Sequence, residues 1–174
     1  MTDSPPAHGH GRFRFCPNCS KEMGPTEVEG KTLQGCSSCG YVHFQDPKIA
    51  AGVIVSNAQG HVLLMQRSHE PRKGFWSYPS GYVDAGEKVE DAAIRETLEE
   101  TEVQVELDGL QGVYSETGDR VVLVVYRGAI VKGEPKAGPE SLAVGFFDPG
   151  DLPALAFPRD GRIIDEWRER YRVS

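Results

Sequence analysis

Two groups of residues carry chemistry by their type and spacing. The first is a run of carboxylates within residues 81–103 that includes Glu87, Glu90, Asp91, Glu96, Glu99, Glu100 and Glu102, opposed only by Lys88 and Arg95. On a helix turning about 100° per residue, Glu96, Glu99 and Glu100 share one arc of roughly 100°. Like charges at those spacings repel by about 0.2–0.5 kcal/mol per pair. A helix that accepts this repulsion calls for a counter-charge, and hard divalent cations such as Mg²⁺ take oxygen ligands between carboxylates and substrate phosphates. A solvated acidic face is the other account of the same pattern.

The second group is a pair of C-x2-C motifs, Cys16/Cys19 and Cys36/Cys39, which contain every cysteine of the chain. This spacing is that of a tetrahedral four-cysteine zinc site. Gly40 follows the second pair, where a tight knuckle needs a positive φ. A segment this short buries too little surface to fold alone, so a bound metal would supply much of its stability. Two disulfides or inert thiols are the competing readings, and disulfides conflict with a reducing compartment. Arg12, Arg14, Lys21 and Lys31 are balanced by Glu22, Glu27, Glu29 and Asp46. With no basic stripe, the segment lacks the footprint of a nucleic-acid module. It is read as a structural or dimerising ribbon, which leaves a homodimer open.

These groups need elements to position them. Residues 1–12, rich in Pro, Gly, Ser and His, read as a disordered tail; His8 and His10 within it could touch a metal. The ribbon takes residues 13–46, and Asp46-Pro47 is a natural boundary to a second domain over residues 47–174. There, residues 48–56 and 61–67 predict two strands around a polar turn. From Val89 the chain reads as a helix, because Ala, Ile, Leu, Glu and Arg dominate and neither Gly nor Pro occurs before residue 104. Its core side is expected at Ile94, Leu98, Thr97 and Thr101, with Val89, Ala92 and Ala93 leaving room beside the carboxylates. Residues 103–107 and 112–115 predict two short strands, 120–131 a central strand, 142–147 another strand, and 159–172 a final helix. Trp76 and Tyr78 could stack on a base, or lie in the core. Strands on both sides of a carboxylate helix, with a closing helix, predict a mixed α/β sandwich.

Composition narrows the field. The chain has 174 residues, 39% hydrophobic and 26% charged, with a net charge of −7. That charge disfavours nucleic acid and anionic membranes as partners, and it means a phosphate-bearing substrate would need metal ions to approach. No run is long and apolar enough to cross a bilayer. No signal-peptide pattern opens the sequence, so the expectation is cytoplasmic.

Gly81, Glu87, Arg95-Glu96 and Glu99-Glu100, with Val103 closing the register, resemble the Nudix box, G-x5-E-x7-R-E-U-x-E-E-x-G-U with U bulky and apolar. Two positions depart: Thr97 stands at the first U, and Glu102 stands where the family has Gly. The resemblance implies an α/β/α sandwich with a mixed sheet, and hydrolysis of a nucleoside diphosphate linked to another moiety with Mg²⁺ or Mn²⁺. By position, it implies Glu96 and Glu100 as main metal ligands. Glu99 is implied as a third ligand or the holder of a water, and the Ser80 carbonyl as a further ligand. Arg95 and Glu87 are implied as an ion pair that fixes the glutamates. A general base outside the box is placed like Glu140, with Glu116 as competitor. Glu102 either adopts a left-handed conformation or the helix ends differently.

The four-cysteine ribbon before such a domain is similar to that of the NADH pyrophosphatases, but their Ser-Gln-Pro-Trp-Pro-Phe-Pro stretch is absent. The segments CPNC and CSSCGYVHFQDPK, GPES over residues 138–141 and LAF over residues 155–157 resemble a branch that includes plant enzymes cleaving FAD and ADP-ribose. That implies a small nucleotide as substrate, with AMP released. NADH and nucleoside triphosphates are the alternatives. Nudix-fold regulators that bind ADP-ribose-like ligands without hydrolysis usually carry a broken box. The intact box here points to an enzyme.

Overall fold

A computed structural model describes residues 13–171. The tail expected over residues 1–12 and the last residue of the expected closing helix lie outside the described residues. The chain divides at Asp46/Pro47 into two compact units.

The first unit is a three-stranded antiparallel meander of β1 (Gly24–Val28), β2 (Lys31–Gly35) and β3 (Val42–His43). Glu29 (φ 50°) and Gly30 (φ 75°) form the two-residue turn that pairs Val28 with Lys31. Two positive φ values in succession match the twist of a tight hairpin. Each cysteine pair sits on a matching knuckle. Ser20 N–H donates to Cys16 O and Gly40 N–H to Cys36 O, both at 2.9 Å. Gly40 has the expected positive φ of 76°, and Ser20 takes the same conformation at 58° without being glycine.

The second unit contains β4 (Lys48–Val55), β5 (Val62–Arg67), β6 (Trp76–Ser77), β7 (Ser80–Tyr82), α1 (Val89–Thr101), β8 (Gln104–Tyr114), β9 (Val121–Lys132), β10 (Ser141–Phe147) and α2 (Pro158–Tyr171). One sheet has the order β7-β4-β9-β8, with β4 and β9 parallel and the other pairs antiparallel. The other sheet is antiparallel, in the order β10-β5-β6. Side chains of β4 alternate between two cores, which is why six consecutive residues of this strand are buried. Ala50 and Ile54 pack with Ile163, Ile164 and Trp167 of α2. Ala51, Val53 and Val55 pack with Ala92 and Ala93 of α1. A helix on each side of a mixed sheet makes the expected α/β/α sandwich, and β9 is central in its sheet.

Two local expectations need correction. Residues 103–107 and 112–115 are not two strands: β8 runs unbroken through Gly109 and Gly112, with register shifts at both places. Such bulges let one strand bend without ending. On the approach to the carboxylate helix, β6 and β7 flank Tyr78-Pro79. The core side of α1 is Ala92, Ala93, Thr97, Glu100 and Thr101, while Leu98 is 41% exposed. Small residues bring the helix close to the sheet, and the Thr97 and Thr101 hydroxyls donate to carbonyls one turn back. The helix therefore packs without Leu98.

Glu102 ends α1 in the left-handed region (φ 57°, ψ 17°), and its N–H donates to Leu98 O at 2.9 Å. A Cβ in that conformation costs about 1–2 kcal/mol, part of which glycine returns through the entropy of its unfolded chain. Glu102→Gly is expected to stabilise the fold by about 0.5–1 kcal/mol, a rise of a few degrees in Tm. A lower Tm in thermal melts would count against this assignment of strain.

Candidate active site

α1 and β7 build the site between them. Gly81 lies opposite Glu96, where a Cβ would stand 2.1 Å from the Glu96 carboxyl carbon. Only glycine lets that carboxylate rest against the β7 backbone. One residue earlier, Ser80 N–H donates to Glu100 Oε2 at 2.9 Å.

Arg95 holds the cluster's outer side. Its guanidinium donates to both oxygens of Glu87, at 2.8 and 2.9 Å. It also reaches Glu96 Oε1 at 2.7 Å, Glu99 Oε2 at 3.2 Å and the Tyr82 carbonyl at 3.1 Å. A planar fork suits this multiple grip, which an ammonium could not reproduce. The bond from Arg95, helped by Asp84 N–H, lowers the Glu87 pKa to about 2. The expected Arg95–Glu87 pair is therefore present.

Glu100 differs. It is 4% exposed, and among the described residues no Lys or Arg forms an ion pair with it. Burial pushes its pKa up to about 8; Ser80 N–H and Arg67 oppose the shift, while Glu96 and Glu140 add to it. Burial also raises Glu96, against the pull of Arg95. A buried carboxylate without an ion-pair partner, beside a half-buried one held by Arg95, offers oxygens that fit a hard divalent cation. In the first unit, Cys16 and Cys39 Sγ are 3.5 Å apart, as are Cys19 and Cys36, and all four sulfurs lie within 4.8 Å of one another. A tetrahedron with Zn–S near 2.3 Å has edges of about 3.8 Å, so the cluster fits zinc.

A cleft of about 720 Å³ brings together Ser80, Glu96, Glu100, Glu140 and Glu116. Glu99 does not line it; its carboxylate is on Arg95 and half exposed. Glu87 stands behind the same arginine. Glu116 is 3.4 Å from Arg162. Glu140 rides on a turn fastened to the end of α1, where Ser141 Oγ and Gly138 N–H both donate to Glu100 O, at 2.8 and 3.1 Å. A Cβ on Gly138 would come 1.8 Å from Glu99 O, so only glycine permits this close docking. Sequence reasoning found GPES but not this reason for it.

Phe157, the last residue of LAF, also lines the cleft, as do Arg67 and Asp160, to which sequence reasoning assigned nothing. Arg67 ends a buried strand, the one local signal that could have singled it out. Burial pushes Asp160 up to about 7, against Arg159, the Phe157 backbone and Arg67.

The NUDIX domain model matches residues 46–167. The chain belongs to the Nudix family. An ADP-ribose pyrophosphatase of Methanocaldococcus jannaschii is 37% identical over 133 residues, which cover 74% of this chain and 76% of that protein. An NAD-capped RNA hydrolase NudC of Chromobacterium violaceum is 32% identical over 87% of this chain, which spans only 55% of that relative. A NUDIX hydrolase structure from Nitrosomonas europaea superposes with a TM-score of 0.83 at 30% identity, covering 91% of this chain and 92% of that one. The carboxylate cleft thus belongs to a Nudix hydrolase, a pyrophosphatase, with a cysteine cluster that fits a small zinc ribbon. Among the described residues no helix is long and apolar enough to cross a membrane.

The raised Glu100 pKa would make cation binding at this carboxylate depend on pH. Between the ordinary value of 4.5 and about 8, the folded Nudix domain holds a proton that the unfolded chain has lost. The stability linked to that proton is full below the lower value and lost as pH rises through the upper one. A cation that replaces the proton cancels the loss. In chelator, Tm is expected to fall from about pH 6 to about pH 9, and saturating Mg²⁺ to raise it more at the higher pH. Asp160 adds a loss of the same sign, so the Glu100→Gln variant isolates the Glu100 share. Equal Mg²⁺ increments at both pH values would contradict this linkage.

Proposed function

We propose that this Nudix hydrolase cleaves the pyrophosphate bond of a dinucleotide-type molecule, ADP-ribose or FAD first, giving AMP and the other phosphorylated half. The observation that carries the chemistry is the buried Glu100 and the half-buried Glu96 sharing one cleft with Glu140. The substrate ranking rests on likeness to the ADP-ribose pyrophosphatase and on the ribbon, GPES and LAF segments.

In this reading Glu96, Glu100 and the Ser80 carbonyl hold Mg²⁺ or Mn²⁺, with Glu99 as a third ligand or the holder of a water. The cation supplies the positive charge that a pyrophosphate needs in an acidic cleft and acidifies water. Arg95 and Glu87 keep the carboxylates in register. Glu140 takes the proton of the attacking water as its oxygen bonds to phosphorus, and the P–O bond to the second phosphate breaks. The docking of residues 138–141 on α1 favours Glu140 over Glu116, which faces Arg162. Glu140→Gln is expected to lower kcat about 10²-fold with little change in KM, and Glu116→Gln to change neither. The reverse pattern would transfer the role to Glu116.

The NudC relative supports a second reading, an NAD-type substrate. A screen of FAD, ADP-ribose, NADH, NAD-capped RNA, diadenosine polyphosphates and nucleoside triphosphates with Mg²⁺ and Mn²⁺, with products identified by mass, decides between them. An efficiency on NADH, capped RNA or a triphosphate tenfold above both ADP-ribose and FAD, about 1.4 kcal/mol, overturns the ranking.

A further inference from the structure

The turn that carries Glu140 is tied to α1 on one side and to the end of β5 on the other. Gly138 N–H and Ser141 Oγ take the α1 side, both donating to Glu100 O. On the β5 side, the Glu140 carbonyl accepts two hydrogen bonds from a single residue, Ser68. One comes from its N–H at 3.2 Å and the other from its hydroxyl at 2.6 Å.

These two bonds have different origins. Ser141 pairs with Arg67 where β10 runs against β5. The Ser68 N–H bond continues that ladder by one rung, and any residue but proline would supply it. The hydroxyl bond is the side chain's own addition, and it fills the carbonyl's second lone pair. A hydroxyl has one proton, and the Glu140 carbonyl takes it. His69 Nδ1, 2.8 Å from the same Oγ, is therefore the donor in that contact and aims the hydroxyl from behind.

Together the donors clamp one peptide unit. The unit joining Glu140 to Ser141 is held at its oxygen by Ser68 and at its N–H by Gly138 O, at 3.1 Å. A peptide unit is planar, so fixing both ends sets ψ of Glu140 and the direction in which its Cα–Cβ bond leaves. Directly afterwards the β10 register shifts between Ser141 and Ala143, so the strand beyond does little to hold the turn. Glu140 lines the cleft and Ser68 does not. Ser68 can therefore reach the chemistry only through Glu140.

We propose that Ser68 is a positioning residue for the hydrolysis, its hydroxyl bond to the Glu140 carbonyl aiming the Glu140 carboxylate at the attacking water. The inference rests on the reading of Glu140 as the general base and deepens it by naming what aims it. A base must stand within hydrogen-bond reach of the proton it takes. A small rotation of the turn lowers the share of productive complexes without altering how substrate binds, so the effect belongs in kcat and not in KM.

The test is steady-state kinetics of the full chain with Mg²⁺ on ADP-ribose, or on the nucleotide that the substrate screen ranks above it. Ser68→Ala is expected to lower kcat about tenfold, with KM and the Mg²⁺ concentration for half-maximal rate within about twofold of the parent. Ser68→Thr, which keeps the hydroxyl, is expected to stay within about threefold of the parent kcat. In a Glu140→Gln background, Ser68→Ala is expected to cost less than about twofold more, because the group it acts through is already gone. A Ser68→Ala kcat within about twofold of the parent overturns the proposal, as does a loss carried by KM instead. A further loss of about tenfold in the Glu140→Gln background overturns it too, since Ser68 would then act elsewhere. Should Ser68→Ala not fold, Ser68→Cys, close in size and only a weak donor, takes its place under the same limits. Glu140→Gln at the parent kcat removes the general base and this proposal together. A slow Glu140→Gln beside an unchanged Ser68→Ala removes the positioning role alone.

Discussion

Glu100→Gln is expected to lower kcat/KM on ADP-ribose about a thousandfold, about 4 kcal/mol of transition-state stabilisation, while Tm holds or rises. The two halves of that expectation come from one environment. Glu100 is buried, with Ser80 N–H on Oε2 and no cationic side chain paired to it among the described residues. Glutamine keeps an oxygen for Ser80 N–H and the same volume. It removes only the charge, which burial has already made costly enough to move the pKa to about 8. The fold therefore has little reason to object to a neutral amide. The chemistry has reason to, because an amide oxygen lacks the charge that a divalent cation requires. Turnover within tenfold of the parent at saturating Mg²⁺ would sink the ligand assignment. Glu87→Gln should behave in the opposite way, since Glu87 carries the bidentate grip of Arg95: its loss should loosen the cluster as well as slow the enzyme.

The contrast between Glu87 and Glu100 marks what the sequence could and could not say. Both are glutamates of one motif, and spacing alone placed both near the site. The motif already implied that Glu87 meets Arg95, whereas the burial of Glu100 depends on β7 lying beside α1, where Ser80 N–H meets its carboxylate. The helix itself was legible because composition and the absence of Gly and Pro act locally. Its buried face was misjudged at Leu98, because the face opposite the carboxylates was expected to be the core side. In fact Ala92 and Ala93 set how near the helix approaches the sheet. The left-handed end at Glu102 was legible as an alternative, since the motif reserves that place for glycine. β8 was read as two strands because Gly109 and Gly112 look like breaks, whereas pairing with β9 carries the strand through both. Phe157 was picked out as part of LAF, but Arg67 and Asp160 come from a strand end and a helix start, so no spacing rule could have joined them to it.

Cys36→Ser is expected to abolish zinc binding and unfold the first unit while leaving the Nudix domain folded. The argument turns on what this unit buries. Among the hydrophobic side chains of residues 13–46, only Cys16 and Cys36 are buried; Phe13, Phe15 and Phe44 are exposed. Three strands of five, five and two residues cannot compensate for that missing core. The cysteines are free, and Sγ pairs 3.5 Å apart are far beyond the ~2.05 Å of a disulfide. The backbone N–H groups of Cys39 and Ser38 help lower the Cys36 thiol pKa to about 7, which eases its conversion to a thiolate ligand. Binding of a structural zinc by such a set is worth on the order of 10 kcal/mol, more than a unit this small can lose. Metal analysis should find one zinc per parent chain and almost none in the variant. Amide exchange should show protection lost over residues 24–43 and kept in β4, β9 and α1. A zinc-free parent that retained protection over residues 24–43 would remove the metal from the account of this unit's stability.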